Sequence, residues 1–267
     1  MTGRKIIVVA ASSDIGAHLA ERWLARGADV VGTFRKRTER VAELERRGAT
    51  MLALDIAAGD EVRAFAGRLK EREFSWDTLV SAPGLLEPIG PFFATDFDAW
   101  EDSVATNSTA QLRVLHALYP ARDPSRTAKV LFFAGGGTNG AFDNYSAYCI
   151  GKMALLKMVE LLDSECPDLQ ASIIGTGWVN TKIHLQTLAA GDAAGPNLGK
   201  TRQFVDGPAS AGTSLERVAE CVDWCLSAPR SAVGGRNFSV VHDAWEDPAF
   251  IDSLRADKDA YKLRRRS

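Results

Sequence analysis

Short apolar runs rich in β-branched residues alternate with segments of helical periodicity along the whole chain, and this alternation constrains the fold most strongly. Runs of this kind are typical of buried parallel strands, because helices cover both faces of such a sheet. The pattern predicts an α/β, Rossmann-type fold with a doubly wound parallel sheet of about seven strands. The predicted strands are Lys5–Ala10, Asp29–Phe34, Thr50–Leu54, Thr78–Ser81, Lys129–Phe133, Gln170–Gly175 and Arg236–Val241.

Composition narrows the classes of protein that fit this pattern. The chain has 267 residues, of which 46% are hydrophobic, and a formal net charge of −2. This size suits one domain over residues 1–267, and no repeat or linker marks a boundary. The balanced charge favours neither a nucleic-acid nor a membrane partner, and no apolar run approaches the ~20 residues of a spanning helix. We therefore expect a cytoplasmic protein, and the dispersed cysteines predict no metal site.

The connection between the first strand and the first helix predicts a phosphate-binding turn, because backbone N–H groups at a helix N-terminus bind anions. The second strand ends at the basic run 35–37, where a βαβ nucleotide fold meets the adenosine ribose. No acidic residue stands there to accept the ribose 2′-hydroxyl. Arg35 and the hydroxyls of Ser12 and Ser13 therefore favour NADP(H) over NAD(H). The alternative is that the basic run is a solvated charged start to the next helix.

Tyr148 and Lys152 are the strongest candidates for catalysis. Residues four apart share one face of a helix, so the ammonium is expected beside the phenol. A nearby cation favours the phenolate and lowers the phenol pKa. The pair therefore predicts a general acid/base that works near neutral pH.

Asn107 is a third candidate, in a predicted long helix from Phe97 to Leu118. It lies on a stripe with Trp100 and Val104 that should face the core. A buried amide there is either satisfied by capping and water, or catalytic. In the catalytic interpretation, a local distortion of the helix frees backbone groups to hold a water molecule.

These features together resemble the short-chain dehydrogenase/reductase family over nearly the whole chain. Each motif is degenerate, but their order and spacing are jointly specific. The matching segments are Ala10–Gly16 (the glycine-rich turn), Asp55–Ile56 (the adenine-contacting acid), Ser81–Gly84 (the Asn-Asn-Ala-Gly segment), Asn107 (the catalytic Asn), Tyr148 with Lys152 (the Tyr-x-x-x-Lys signature) and Gly177–Thr181 (the Pro-Gly segment).

The resemblance implies a carbonyl-to-alcohol interconversion, in which Tyr148 exchanges a proton with the substrate oxygen. Lys152 would lower the Tyr148 pKa and bind the nicotinamide ribose, while Asn107 would hold a water that links Lys152 to solvent. A homodimer or homotetramer is also implied, through the helices around Asn107 and Tyr148. The implied cofactor contacts are Ser12, Ser13, Asp14, Ile15, Gly16, Arg35, Asp55, Ile56, Ala82, Gly84, Tyr148, Lys152, Gly177, Val179 and Thr181.

Three positions depart from the family pattern. Gly135 stands where the family usually has a Ser, thirteen residues before the Tyr, whose hydroxyl contacts the reacting carbonyl. Thr138, backbone N–H groups of the Gly run or the substrate itself are the possible replacements for that donor. Ala10 and Asp14 replace two glycines of the turn, and Asp14 is a plausible helix N-cap. Gly135 keeps open an alternative, a weakened or inactive NADP(H)-binding sensor or scaffold.

The remaining expectations concern the later part of the chain. Residues 180–213 are rich in Gly, Ala and polar residues and are expected to form an irregular loop that covers the substrate. Trp178, His184 and Gln186 either touch substrate there or pack the loop onto the body. The basic tail 261–267 is interpreted as a solvated end, or as a contact to a neighbouring subunit. A dehydratase or epimerase with tightly held NAD(H) is disfavoured by the basic run after the second strand.

Overall fold

The computed structural model describes residues 2–208 and 211–265 and contains one seven-stranded sheet. All neighbouring strands pair in parallel, in the order β3-β2-β1-β4-β5-β6-β7. The predicted fold class is therefore confirmed. The strands are β1 (Lys5–Val9), β2 (Asp29–Phe34), β3 (Thr50–Ala53), β4 (Thr78–Ser81), β5 (Ala128–Phe133), β6 (Leu169–Gly175) and β7 (Asn237–Ser239).

Helices cover both faces of this sheet, as alternation along β1 requires. Ile6 and Val8 belong to a buried core under α1 and α9, whereas Ile7 and Val9 belong to a second core under α3, α5 and α6. In the described part of the chain, no helix is both long and apolar enough to cross a membrane. The helices are α1 (Asp14–Ala25), α2 (Glu39–Arg46), α3 (Gly59–Glu71), α4 (Phe97–Asn107), α5 (Thr109–Leu118), α6 (Ser146–Glu165), α7 (His184–Ala190), α8 (Pro196–Val205), α9 (Leu215–Ser227), α10 (Arg230–Val233) and α11 (Pro248–Ala256).

Two helical expectations need correction. The long helix predicted from Phe97 to Leu118 is two helices, because Ser108 leaves the helical region with φ −140° and ψ −87°. The segment 180–213 is not an irregular loop, since it contains α7 and α8 joined by a short 3-10 helix. Two of its glycines mark the ends of these pieces, since Gly191 and Gly195 have φ of 56° and 55°. Residues 209 and 210 of that segment, like residues 266 and 267 of the basic tail, lie outside the described residues.

The strand order brings the predicted site together at one edge of the sheet. The chain enters β4 beside β1 after crossing from β3, so the order reverses between β1 and β4. Ligands of open α/β sheets bind at the carboxyl ends of strands near such a reversal. The turn before α1, Pro83 after β4, Gly135 after β5 and Gly177 after β6 all follow strand ends at this edge.

Candidate active site

The turn between β1 and α1 is a tightly packed cap. Ser13, and not Asp14 as predicted, is the N-cap of α1, and its Oγ accepts a hydrogen bond from Gly16 N at 3.1 Å. Ala10 adopts φ 60°, the left-handed conformation that a glycine in this place adopts without strain. A Cβ on Gly16 would lie 2.4 Å from the Ala10 carbonyl oxygen, so only glycine fits there. The retained Gly16 therefore preserves the close turn at the helix N-terminus.

Asp14 occupies the first position of α1 and bridges to two other segments. Its carboxylate accepts hydrogen bonds from the Arg40 guanidinium on α2 and from Lys182 N at 2.8 Å, beyond β6. Burial opposes its ionisation, yet these donors hold the pKa of the Asp14 carboxyl below its usual value. Asp14 is therefore an ionised group held across the edge of the sheet.

The end of β2 presents cations that have no protein partner among the described residues. Arg35 and Lys36 are exposed and make no ion pair there, whereas Arg37 pairs with Glu45. These two side chains are available to a phosphate group at this end of the site.

The other predicted adenosine-side residues lie on the same edge. Asp55 closes its own turn, since Oδ1 accepts from Ala57 N at 3.0 Å, and Ile56 is buried in the core. Ala82 is half-buried, and Gly84 lies against the segment after β6, where a Cβ would be 3.3 Å from Ile183 Cδ1.

Tyr148 and Lys152 lie on the buried face of α6, as predicted. Lys152 Nζ donates to the Pro83 carbonyl oxygen at 3.1 Å and lies 5.8 Å from the centroid of the Tyr148 ring. Burial lowers the pKa of Lys152 to about 7. The expectation of a lowered Tyr148 pKa is wrong in this structure, because burial raises the pKa of the phenol and the ammonium is directed at Pro83.

Gly135 explains how Tyr148 fits beside the strand end. A Cβ at position 135 would lie 2.0 Å from the Tyr148 hydroxyl and 2.4 Å from its Cζ. The phenol thus fills the space that a side chain at position 135 would take. Gly135 therefore does more than remove a hydroxyl, because the absence of a side chain there leaves the space that Tyr148 occupies.

Asn107 is the last residue of α4 and is fully buried. Its Nδ2 donates to the Leu85 carbonyl at 2.7 Å, and its Oδ1 accepts from Leu85 N at 3.1 Å. The helix is interrupted at the next residue, Ser108, in line with the predicted distortion. Since Leu85 lies two residues after Pro83, Asn107 fixes the same loop that receives Lys152.

The segment after β6 packs its predicted side chains against neighbouring protein groups. Trp178 stacks on His184 with ring centroids 5.3 Å apart, and Val179 is buried. Gly177 has φ 70°, which glycine adopts without strain. Gln186 Oε1 accepts from Leu86 N at 2.7 Å, so this segment contacts the loop after β4. Thr181 is half-buried beside Lys182.

Sequence reasoning missed Arg40 and the backbone of Lys182 and of Pro83. Arg40 follows the basic run by three residues, which is the only signal that the sequence offers for it. The two backbone groups carry none, since any residue type supplies an N–H or, as here, a carbonyl.

Comparisons with known proteins agree with this arrangement. The family model described as enoyl-(acyl carrier protein) reductase matches residues 9–240. The chain belongs to the short-chain dehydrogenase/reductase family. Solved members of similar fold include a short-chain dehydrogenase/reductase of Saccharomyces cerevisiae, with a TM-score of 0.79 and 21% identity, covering 94% of this chain and 99% of that one. A short-chain dehydrogenase of Shigella flexneri, solved with NADP, has a TM-score of 0.76 and 19% identity over 90% of this chain and 98% of that one.

The names of curated relatives of this chain give different substrates. A fatty acyl-CoA reductase of Mycobacterium tuberculosis is 24% identical over 86% of this chain and 75% of its own length. An L-fucose dehydrogenase of Oryctolagus cuniculus is also 24% identical, over 87% of this chain and 84% of its own length. Family membership indicates NAD(P)-dependent oxidoreduction.

The donor set at the sheet edge fits a nicotinamide dinucleotide. Among the described residues, Arg35 and Lys36 are cations without an ion-pair partner, and the start of α1 offers backbone N–H groups. One group opposes the fit of an anionic ligand, the ionised Asp14 at the helix start.

Proposed function

We propose that this protein is an NADP(H)-dependent oxidoreductase that interconverts a carbonyl and a secondary alcohol, with Tyr148 as the acid/base. The observation that carries the proposal is the pairing of Tyr148 and Lys152 on the buried face of α6, with Lys152 bonded to Pro83 at the carboxyl end of β4. That strand end adjoins the turn before α1, at the point where the strand order reverses. The acid/base pair and the phosphate turn thus share one edge.

Tyr148 is suited to donate a proton. NADPH, when bound, supplies the hydride for reduction of the carbonyl carbon. A phenol with its ordinary pKa of about 10 is protonated at neutral pH, so Tyr148 can protonate the oxygen as negative charge develops on it. Burial raises the pKa of Tyr148 further, which makes the phenol a weaker acid. Oxidation of the alcohol uses the same residue in reverse.

Lys152 and Asn107 support this proton transfer by Tyr148. The pKa of Lys152 is about 7, so near neutral pH it changes charge readily and can pass a proton on. Asn107 acts as a positioning residue, because its two hydrogen bonds to Leu85 hold the loop whose Pro83 carbonyl receives Lys152. A water beside Asn107 that links Lys152 to solvent, as expected from the sequence, is also part of this proposal.

The preference for NADP(H) over NAD(H) rests on the end of β2. Arg35 and Lys36 are exposed there without ion-pair partners among the described residues, which suits a ribose 2′-phosphate.

We also propose one domain over residues 1–267, a cytoplasmic location, and a homodimer or homotetramer built through α4 and α6. Light scattering on the purified protein tests the assembly.

A panel of ketones and aldehydes, followed at the NADPH absorbance, tests the proposed reaction. We expect oxidation of NADPH with at least one carbonyl, and weaker binding of NADH than of NADPH by calorimetry. Arg35→Ala should reduce that difference in affinity, whereas Arg72→Ala, an exposed residue at the end of α3, should not.

A second function, cofactor binding without turnover, is favoured by one observation. The Tyr148 hydroxyl fills the space beside Gly135 in which other family members carry their Ser side chain. Tight binding of NADPH together with no turnover of any carbonyl in the panel would select this sensor or scaffold function.

A further inference from the structure

Asp14 places a charge where the family pattern of the turn has a glycine. Its side chain is only 14% exposed and directed across the edge of the sheet. It accepts hydrogen bonds from Arg40 on α2 and from the Lys182 N–H, 2.8 Å away. A carboxylate at the N-terminus of α1 thus already uses a cation and a backbone donor of the proposed cofactor site.

The segment that Asp14 holds is tied on its other side as well. Gln186 Oε1 accepts from Leu86 N at 2.7 Å and from Glu87 N at 3.3 Å, both in the loop after β4. Residues 182–186 therefore span from the turn after β1 to the loop after β4. These are the two neighbouring strand ends between which the strand order reverses.

A dinucleotide pyrophosphate needs the same kind of partners that Asp14 has. It is an anion, which is stabilised by backbone N–H groups at a helix start and by guanidinium groups. Two anions that compete for one set of donors repel each other when they are close, so each weakens the binding of the other.

We propose that Asp14 is an internal anion that occupies hydrogen-bond donors at the proposed cofactor site, and that a bound dinucleotide displaces it from Arg40 and from the Lys182 N–H. This inference rests on the proposed cofactor. On displacement, Arg40 and the Lys182 N–H exchange an internal acceptor for the cofactor phosphates, and the segment 182–186 loses its link to α1. Cofactor affinity is then lowered by the free energy of opening that link.

Calorimetry with NADPH tests this role of Asp14. We expect Asp14→Asn and Asp14→Ala to bind NADPH at least about tenfold more tightly than the unmodified protein, because both remove the competing charge. Asp14→Asn keeps the size and the acceptor oxygen. Asp252→Asn on α11 makes the same change in net charge at an exposed position and should leave the affinity unchanged.

Hydrogen exchange supplies a second measurement that does not depend on turnover. Without cofactor, the Lys182 amide should exchange faster in Asp14→Ala than in the unmodified protein, because its acceptor is gone. Equal or weaker NADPH binding by both Asp14 variants would overturn the role of Asp14 and leave the cofactor assignment standing. Failure of every variant and of the unmodified protein to bind NADPH or NADH would overturn the cofactor assignment and this inference together.

Discussion

Position 135 shows how the absence of a side chain determines the placement of a catalytic candidate. From the sequence, Gly135 means the loss of a hydroxyl that would contact the substrate oxygen. In the structure, the Tyr148 phenol occupies the volume that a side chain there would need. The identity of residue 135 and the position of Tyr148 are therefore coupled, and restoring the family's usual Ser would not restore the family's usual site.

Gly135→Ser tests this coupling. The new Cβ would overlap the Tyr148 ring, and overpacking of a buried site costs roughly 1–3 kcal/mol in unfolding free energy. We expect this loss in urea denaturation, together with a fall in NADPH turnover of at least about tenfold from the displaced phenol. Gly140→Ser in the same loop is the control, because a Cβ there meets nothing within 4 Å. A Gly135→Ser protein as stable and as active as the original would show that the two residues are independent.

Lys152 should impose a pH dependence on stability. Burial lowers its pKa from 10.5 to about 7, so between these values the unfolded chain binds the proton that the folded protein releases. The free energy of unfolding therefore rises with pH across that window, and the cost of the buried ammonium is complete below pH 7. Replacement by Met removes that cost.

Urea denaturation of Lys152→Met at pH values from 6 to about 9 checks this sign. Relative to the original protein, the variant should be most stable at the lowest pH, by a few kcal/mol, with the difference shrinking as pH rises. Lys157→Met, an exposed position on the same helix, should show no such trend. A difference that is constant with pH would contradict the burial argument.

At the scale of elements, the end of α4 places Asn107 against the loop after β4. The interruption at Ser108 leaves Asn107 as the final residue of α4, in contact with Leu85 through both atoms of its amide. α6 approaches closely at the same level, since a Cβ on Gly151 would lie 2.6 Å from Asn107 Cβ. The loop after β4 is thereby held between α4 and Lys152.

Asn107→Ala is expected to release this loop. Loss of the bonds to Leu85 leaves two part-buried backbone groups unpaired, which costs at most about 1–3 kcal/mol each, the value for a fully buried group. The Leu85 amide should then exchange faster with deuterium. Asn197→Ala provides a matched control, because Asn197 is also a buried amide but donates to the Asp143 carbonyl. It should lower stability without changing exchange at Leu85.

The elements differ in how far the sequence could predict them. The strands were predicted to within two residues at either end, because apolar β-branched runs are local signals. The break at Ser108 has no such local signal, since 97–118 is helical in pattern throughout. A distortion near Asn107 was expected only from the catalytic interpretation of that residue. The composition of 180–213 did not predict α7 and α8, because it combines alanine, the best helix former, with glycine, which is among the poorest.

The whole molecule places the candidate residues from distant parts of the sequence at one sheet edge. Tyr148, Lys152 and Asn107 were found from spacing and helical periodicity, which the parallel fold preserves. The bridge from Asp14 to Arg40 and Lys182 was not, because it joins residues 26 and 168 positions apart through tertiary structure alone. Prediction therefore succeeded in naming residues that the fold brings to one edge of the sheet, and failed for the partners of Asp14. That these residues form an active site stays a prediction.

The Tyr148→Phe variant tests the proposed acid/base role most directly. Its NADPH oxidation is measured with an accepted carbonyl substrate, and its NADPH binding is measured by calorimetry. The substitution removes the proton donor and keeps the ring that packs beside Gly135. Turnover should fall by at least about a hundredfold, within the range for loss of a general acid, with NADPH affinity changed by less than about threefold. Turnover by Tyr148→Phe at the original rate would contradict the proposed role of Tyr148 as the acid/base.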